Sequence, residues 1–177
     1  MNTLTLPVSD RDHIQGLLTA PIILVEYGDY QCPDCAKFHL VIQSLQQKLS
    51  EQLCFVYRHF PCRHLHSDAQ HAAEAAEAAA NQGKFWEMHN CLYTNHQELG
   101  NGYLVEYAIA LNLDIEKFLS EVTGDLFVKR VQEDLDSGKA SGVITTPTLF
   151  INGFVYSDAL DQDALLYRIK LTKQTCL

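Results

Sequence analysis

Two cysteines at the spacing Cys32-Pro33-Asp34-Cys35 are the residues best placed to do chemistry. Thiols two residues apart close a disulfide or hold a metal. A zinc site built on such a pair normally needs a second pair, and this sequence has no other CxxC. Reversible dithiol chemistry is therefore the leading reading, with zinc and inert thiols as the alternatives. Glu26 lies six residues upstream inside an apolar run. A carboxylate there is either a strand-end side chain reaching solvent or a buried acid that takes a proton from Cys35, directly or by a relay through water.

The flanking residues say how the thiols are held. Ile22-Ile23-Leu24-Val25 reads as a buried strand ending near Tyr27. Phe38, Val41, Ile42, Leu45 and Leu49 recur at helical spacing to about Ser50. Cys32 then falls at the N-cap and Pro33 at the first helical position, where its fixed φ fits. A helix N-terminus favours a thiolate on Cys32. Asp34 opposes it. The balance predicts a Cys32 pKa of roughly 5.5–7 and a potential on the order of −160 to −240 mV.

Further along, Leu53 to Phe60 reads as a second strand, so strand, helix and strand form a right-handed parallel βαβ unit. Leu4, Leu6 and Val8 alternate and suggest a short strand at the start. Ser67 and Gln70 suggest a capping box opening an Ala-rich helix, His71 to Ala80. Helices follow over Lys84 to Asn95, Tyr103 to Leu111, Asp114 to Thr123, and Asp125 to Ser137, with glycines read as breaks. Thr148 to Ile151, Asn152-Gly153 and Phe154 to Tyr156 read as a type I′ hairpin, and Asp161 caps a last helix.

With 177 residues and 47% apolar content, the chain fits one domain over 1–177. The net charge of −9 argues against nucleic acid as a partner. No apolar run reaches the length of a membrane span. The polar N-terminus lacks the pattern of a secretory signal, so the expected compartment is cytoplasmic, or periplasmic if a leader was removed. Cys54, Cys62, Cys91 and Cys176 are scattered and read as small buried hydrophobes or bystanders. Cys62, His64, His66 and His71 match no standard zinc spacing, so no metal is assigned and no cofactor is expected.

The ordered set of motifs resembles the DsbA-like branch of the thioredoxin superfamily. It comprises Val25 to Cys35, Arg58-His59-Phe60-Pro61, Ala72 to Ala76, Gly83 to His89, and Gly142 to Gly153, and it covers about residues 8 to 170. The resemblance implies an α/β thioredoxin fold with a helical insertion over 62–123, between the βαβ and ββα halves. It implies Cys32 as exposed nucleophile, Cys35 as resolving thiol and Glu26 as proton acceptor. It also implies a cis Thr146–Pro147 peptide beside the dithiol. Thr146, Pro147, Pro33 and Asp34 become the candidate substrate-contacting positions. The implied activity is disulfide exchange with protein or peptide thiols, with glutathione as a candidate redox partner. The competing readings are a non-catalytic peptide- or zinc-binding thioredoxin module and a glutathione-dependent transferase or isomerase. Arg58 or His59, on opposite strand faces, is a candidate to tune Glu26, and Phe85 and Trp86 are read as insertion core.

Overall fold

The computed structural model describes residues 2–175. Five strands form one sheet in the order β1-β3-β2-β4-β5. β2 (Ile22–Gly28) and β3 (Leu53–His59) pair in parallel, with Glu26 opposite Tyr57. β1 (His13–Gln15) runs antiparallel to β3, and β4 (Thr148–Ile151) antiparallel to β2. β5 (Phe154–Tyr156) completes the hairpin, with Asn152 and Gly153 both at positive φ, as a type I′ turn requires. The helices are α1 (Pro33–Leu49), α2 (Ala69–Ala80), α3 (Phe85–Thr94), α4 (Asn101–Ala110), α5 (Ile115–Thr123), α6 (Val128–Ala140) and α7 (Gln162–Thr175).

Alternation divides the sheet into two faces. Leu24, Phe55, Tyr57, Leu149 and Ile151 enter one core with α1 and the α2–α5 helices, and Phe85 lies in that core with Trp86 packed against it. Val25, Tyr27, Cys54, Val56 and Phe150 enter a second core, which includes Leu135 of α6. Eight of the twelve residues of α2 are alanine, so it comes close to α3 and α5 while burying six alanines between Ala72 and Ala79.

Four expected elements differ. The stretch Leu4 to Val8 is not a strand, although Thr3 bridges to Phe154. The carbonyls of Leu6 and Pro7 instead accept from the buried Arg58 guanidinium at 3.0 and 3.2 Å. The Ser67–Gln70 capping box does not form. Asp68 sits at the N-cap, and its backbone N–H and carboxylate are both engaged by the Gln31 side chain. Gly102 lies inside α4. Gly138 lies inside α6, where a Cβ would fall 2.7 Å from the Phe60 ring and 3.0 Å from Tyr27. Its glycine marks a close helix–sheet approach rather than a stop. Asp114 and Asp161 do cap their helices, accepting from the N–H groups of Lys117 and Ala164.

Candidate active site

β2 delivers the chain to the site. Asp29 follows it, buried, and accepts from the backbone N–H of Cys32 through its carbonyl at 3.1 Å. Its carboxylate accepts from the N–H of Gln31 and, 33 residues on, from that of Cys62, each at 2.8 Å. His66 Nδ1 lies 2.8 Å from the same carboxylate. One buried acid therefore fixes the loop carrying Cys32 against the loop after β3. Sequence reasoning gave Asp29 no role. Its position between an apolar strand and the dithiol was the available signal.

Cys32 occupies the N-cap of α1 with Pro33 at the first helical position. Cys32 keeps 7% of its surface and Cys35 none, so Cys32 is far less exposed than expected but remains the thiol that solvent can reach. A hydrogen bond from the Cys35 thiol holds the Cys32 pKa down, to about 5. Burial opposes this. The backbone N–H groups of Cys35 and Asp34 and the Thr146 side chain add to the lowering. Cys35 moves the other way: burial raises it, as do its bond to Cys32 and the charge of Glu26. The Cys32 value lies at the low edge of the expected window. Asp34 turns into solvent, 73% exposed and 3.1 Å from Lys37, where water and the lysine screen its charge.

Glu26 does not reach solvent. It is 1% exposed, and its Oε1 finds no hydrogen-bond partner among the described residues. Burial raises its pKa to about 8, the charge of Cys32 adds to this, and Tyr93 lowers it. His59 shares the sheet face of Glu26 but is engaged elsewhere, and Arg58 does not share that face. Arg58 is on the opposite side of the sheet, bound to Asp12, and His59 Nε2 lies 3.0 Å from Glu77. The neighbours of Glu26 are instead tyrosines. Tyr57 and Tyr93 share a hydrogen bond of 3.0 Å, and Tyr30 bonds His89 Nδ1 at 3.0 Å. Burial holds His89 neutral by pushing its pKa well down. Alternation along β3 could have placed Tyr57 here. Tyr93 and His89 arrive from α3, a tertiary approach that the sequence does not encode locally.

The Thr146–Pro147 peptide is cis, and Thr146 borders the dithiol. As a thiol, Cys32 donates to the Thr146 carbonyl at 3.6 Å. Pro33 and Asp34 are exposed at the rim, Thr146 is half-buried and Pro147 is buried. A family model described as thioredoxin matches residues 9–170. The chain belongs to the thioredoxin family. Within that family its fold is DsbA-like. BdbD from Bacillus subtilis superposes with a TM-score of 0.85 at 23% identity, covering 95% of this chain and 96% of that one. Wolbachia pipientis alpha-DsbA1 gives 0.83 at 18%, covering 97% and 95%. The catalytic domain of Proteus mirabilis ScsC gives 0.79 at 19%, covering 94% and 91%. Curated relatives include proteins named Na(+)/H(+) antiporter NhaA 1 from Mycolicibacterium vanbaalenii, 39% identical over 159 residues, and from Salinispora arenicola, 40% identical over 163. These matches cover 89% and 92% of this chain but 26% and 25% of the antiporters, so the chain spans about a quarter of their length. No helix among the described residues is long and apolar enough to cross a membrane.

The loop histidines do not gather as a metal site in this thioredoxin-family fold. His66 turns to Asp29, His71 to Asn101, and Cys62 to Thr146. The ligating group that does converge is His13, His59 and Glu77. Burial opposes the charge on Glu77, but hydrogen bonds from both histidines win and hold its pKa far down. Arg130 stands 3.7 Å from the same carboxylate oxygen, so this acid already has a cationic neighbour. Cys54 lies on the far face of the sheet and Cys91 on α3 beside Asn95. Cys176 lies outside the described residues.

Proposed function

We propose that this protein is a thiol–disulfide oxidoreductase that exchanges disulfides with protein or peptide thiols through Cys32 and Cys35. The supporting observation is the split in acidity between two hydrogen-bonded thiols: Cys32 down to about 5, Cys35 pushed up by burial. At neutral pH that split leaves Cys32 a thiolate and Cys35 a thiol.

The steps follow from this split. In the reducing direction, Cys32 thiolate attacks one sulfur of a substrate disulfide: the bond from Cys32 to that sulfur forms, the substrate S–S bond breaks, and the other substrate sulfur leaves as a thiolate. The negative charge of Cys32 disappears, and with it one cause of the raised pKa of both Cys35 and Glu26. Loss of the Cys32 charge makes Glu26 easier to ionise; in its ionised form Glu26 is the buried acceptor for the Cys35 proton, and the Cys35 thiolate attacks the Cys32 sulfur. The substrate sulfur leaves as a thiolate, and Cys32–Cys35 closes. In the oxidising direction the same bonds form and break in reverse. A thiolate at pKa near 5 is a good leaving group, which makes the disulfide form the stronger oxidant. Thr146 and Pro33 form the rim against which an extended substrate segment lies.

Reduction of insulin by a dithiol or glutathione in the presence of the protein tests this reading. Wild type should accelerate it, and Cys32→Ser should abolish the acceleration. Equal activity of the two would refute the assignment.

A further inference from the structure

A third thiol enters the site. Asp29 binds the N–H of Cys62 and, through its carbonyl, that of Cys32, so the two cysteines are positioned by one buried residue. Their sulfurs also meet one residue. Cys32 Sγ lies 3.6 Å from the Thr146 carbonyl oxygen, and Cys62 Sγ lies 4.0 Å from the Thr146 hydroxyl. Cys62 sits on the loop between β3 and α2, outside any helix or strand. It lines a groove with Phe60, Leu135, Val143 and the exposed Ile144. Cys54 and Cys91 have no such placement.

We propose that Cys62 is a third redox thiol that competes with Cys35 to resolve mixed disulfides on Cys32. The proposal rests on the exchange activity proposed above. In the step, the Cys62 thiol loses its proton and its thiolate attacks the Cys32 sulfur of the mixed disulfide. A Cys32–Cys62 bond forms and the bond from Cys32 to the substrate sulfur breaks. The substrate sulfur is reduced, leaves as a thiolate and takes up a proton. Cys62 is oxidised in its place. Cys35 can then attack Cys32 in turn, closing Cys32–Cys35 and releasing Cys62 as a thiol.

The electrostatics suit a thiol that waits for the mixed disulfide. Burial first, and then the charges of Asp29 and Cys32, hold Cys62 protonated, while the Thr146 hydroxyl favours its thiolate. Once Cys32 is in a disulfide, its opposing charge is gone and the Thr146 hydroxyl no longer faces a second thiolate. Cys62 therefore becomes more acidic when there is a disulfide to attack.

The test removes the competitor. Cys35→Ser is treated with oxidised glutathione at neutral pH, quenched with an alkylating agent and mapped by mass spectrometry without reduction. The expected product is a Cys32–Cys62 linked peptide, with loss of the glutathione adduct from Cys32. In Cys35→Ser/Cys62→Ser, and in Cys35→Ser/Cys62→Ala, the adduct should persist on Cys32. A persistent adduct in the single variant, with Cys62 still alkylated, overturns the proposal and leaves the exchange activity standing. Failure of Cys32 to take up glutathione in every variant overturns both. The single variant is decisive alone should the Cys62 replacements fold poorly.

Discussion

Glu26 and Tyr57 are register partners across the parallel β2–β3 pair, and both are buried on the same sheet face. The acid thus faces an aromatic, dehydrated side of the sheet instead of an arginine or lysine. Gly28, two residues on, leaves room there: a Cβ would lie 2.6 Å from both the Tyr57 ring and the Tyr93 hydroxyl. The arrangement maintains a proton-binding carboxyl near Cys35 at a cost in stability.

That cost has a pH signature. The folded pKa of Glu26, about 8, stands above its ordinary 4.5. An acid whose folded pKa is raised is neutral in the native state and ionised in the unfolded one between those values. The penalty is therefore absent below about pH 4, grows as pH rises, and is complete above about pH 8. At about 1.4 kcal/mol per unit, it reaches the order of 3–5 kcal/mol. Glu26→Gln should match the wild type near pH 4 and be the more stable protein by several kcal/mol near pH 8. Denaturant unfolding of the fully reduced proteins measures this. A stability difference independent of pH would mean that Glu26 is ionised in the fold.

The same substitution should slow catalysis while it stabilises. Cys35 is buried beside Cys32 and must lose its proton before it can attack. Proton acceptance by a positioned side chain contributes roughly 10²–10⁴-fold, so release of a thiol from the Cys32 mixed disulfide should slow by about the lower end of that range in Glu26→Gln. Single-turnover stopped-flow measurement of release checks this. Unchanged release at pH 7 would remove Glu26 from the proton path.

Much of this site was legible and some was not, for physical reasons. The Cys32–Cys35 helix start is local: an N-cap, Pro33 at the first helical position and an apolar stripe lie within one segment. For Asp34 the sequence shows proximity to Cys32 but not direction: the side chain at that helical position points outward to Lys37. Gly138 misled because a glycine needed for close packing is spelled like one that ends a helix. Asp29 and Cys62 acquire meaning only when the loops after β2 and β3 meet, and that contact spans 33 residues.

Arg58 carries the fold on the other face. It is fully buried, binds both carboxylate oxygens of Asp12 at 2.8 and 3.0 Å, and donates to Tyr27 and to two backbone carbonyls. Removing one member of such a pair leaves a buried charge unmatched, at a cost of about 3–5 kcal/mol. Arg58→Ala should lose about that much stability and free the segment before β1. Asp12→Asn, which keeps the shape and removes the charge, should lose less. Urea unfolding of both variants compares them. An Arg58→Ala protein as stable as wild type would show that the N-terminal segment docks without it.

The last expectation concerns the redox poise. Anchoring values run from a thiolate pKa of about 3.5 with a potential of about −120 mV to about 7 with about −270 mV. Cys32 at about 5 falls between them. Linear interpolation places the Cys32–Cys35 pair at roughly −180 mV. That value is inside the window expected from the sequence but toward its oxidising side, because Asp34 is solvated and withholds its repulsion. Two measurements bear on it together. The rate of Cys32 alkylation should rise with pH around a midpoint near 5, and equilibration with glutathione should give the potential. Asp34→Asn should then change little, by about half a pKa unit or less, since an exposed charge is screened. A midpoint above 7 in the wild type would contradict the hydrogen bond from Cys35 as the main control. A large shift in Asp34→Asn would restore Asp34 as the residue that sets the potential, and the exposed pose beside Lys37 would not be the one that matters for exchange.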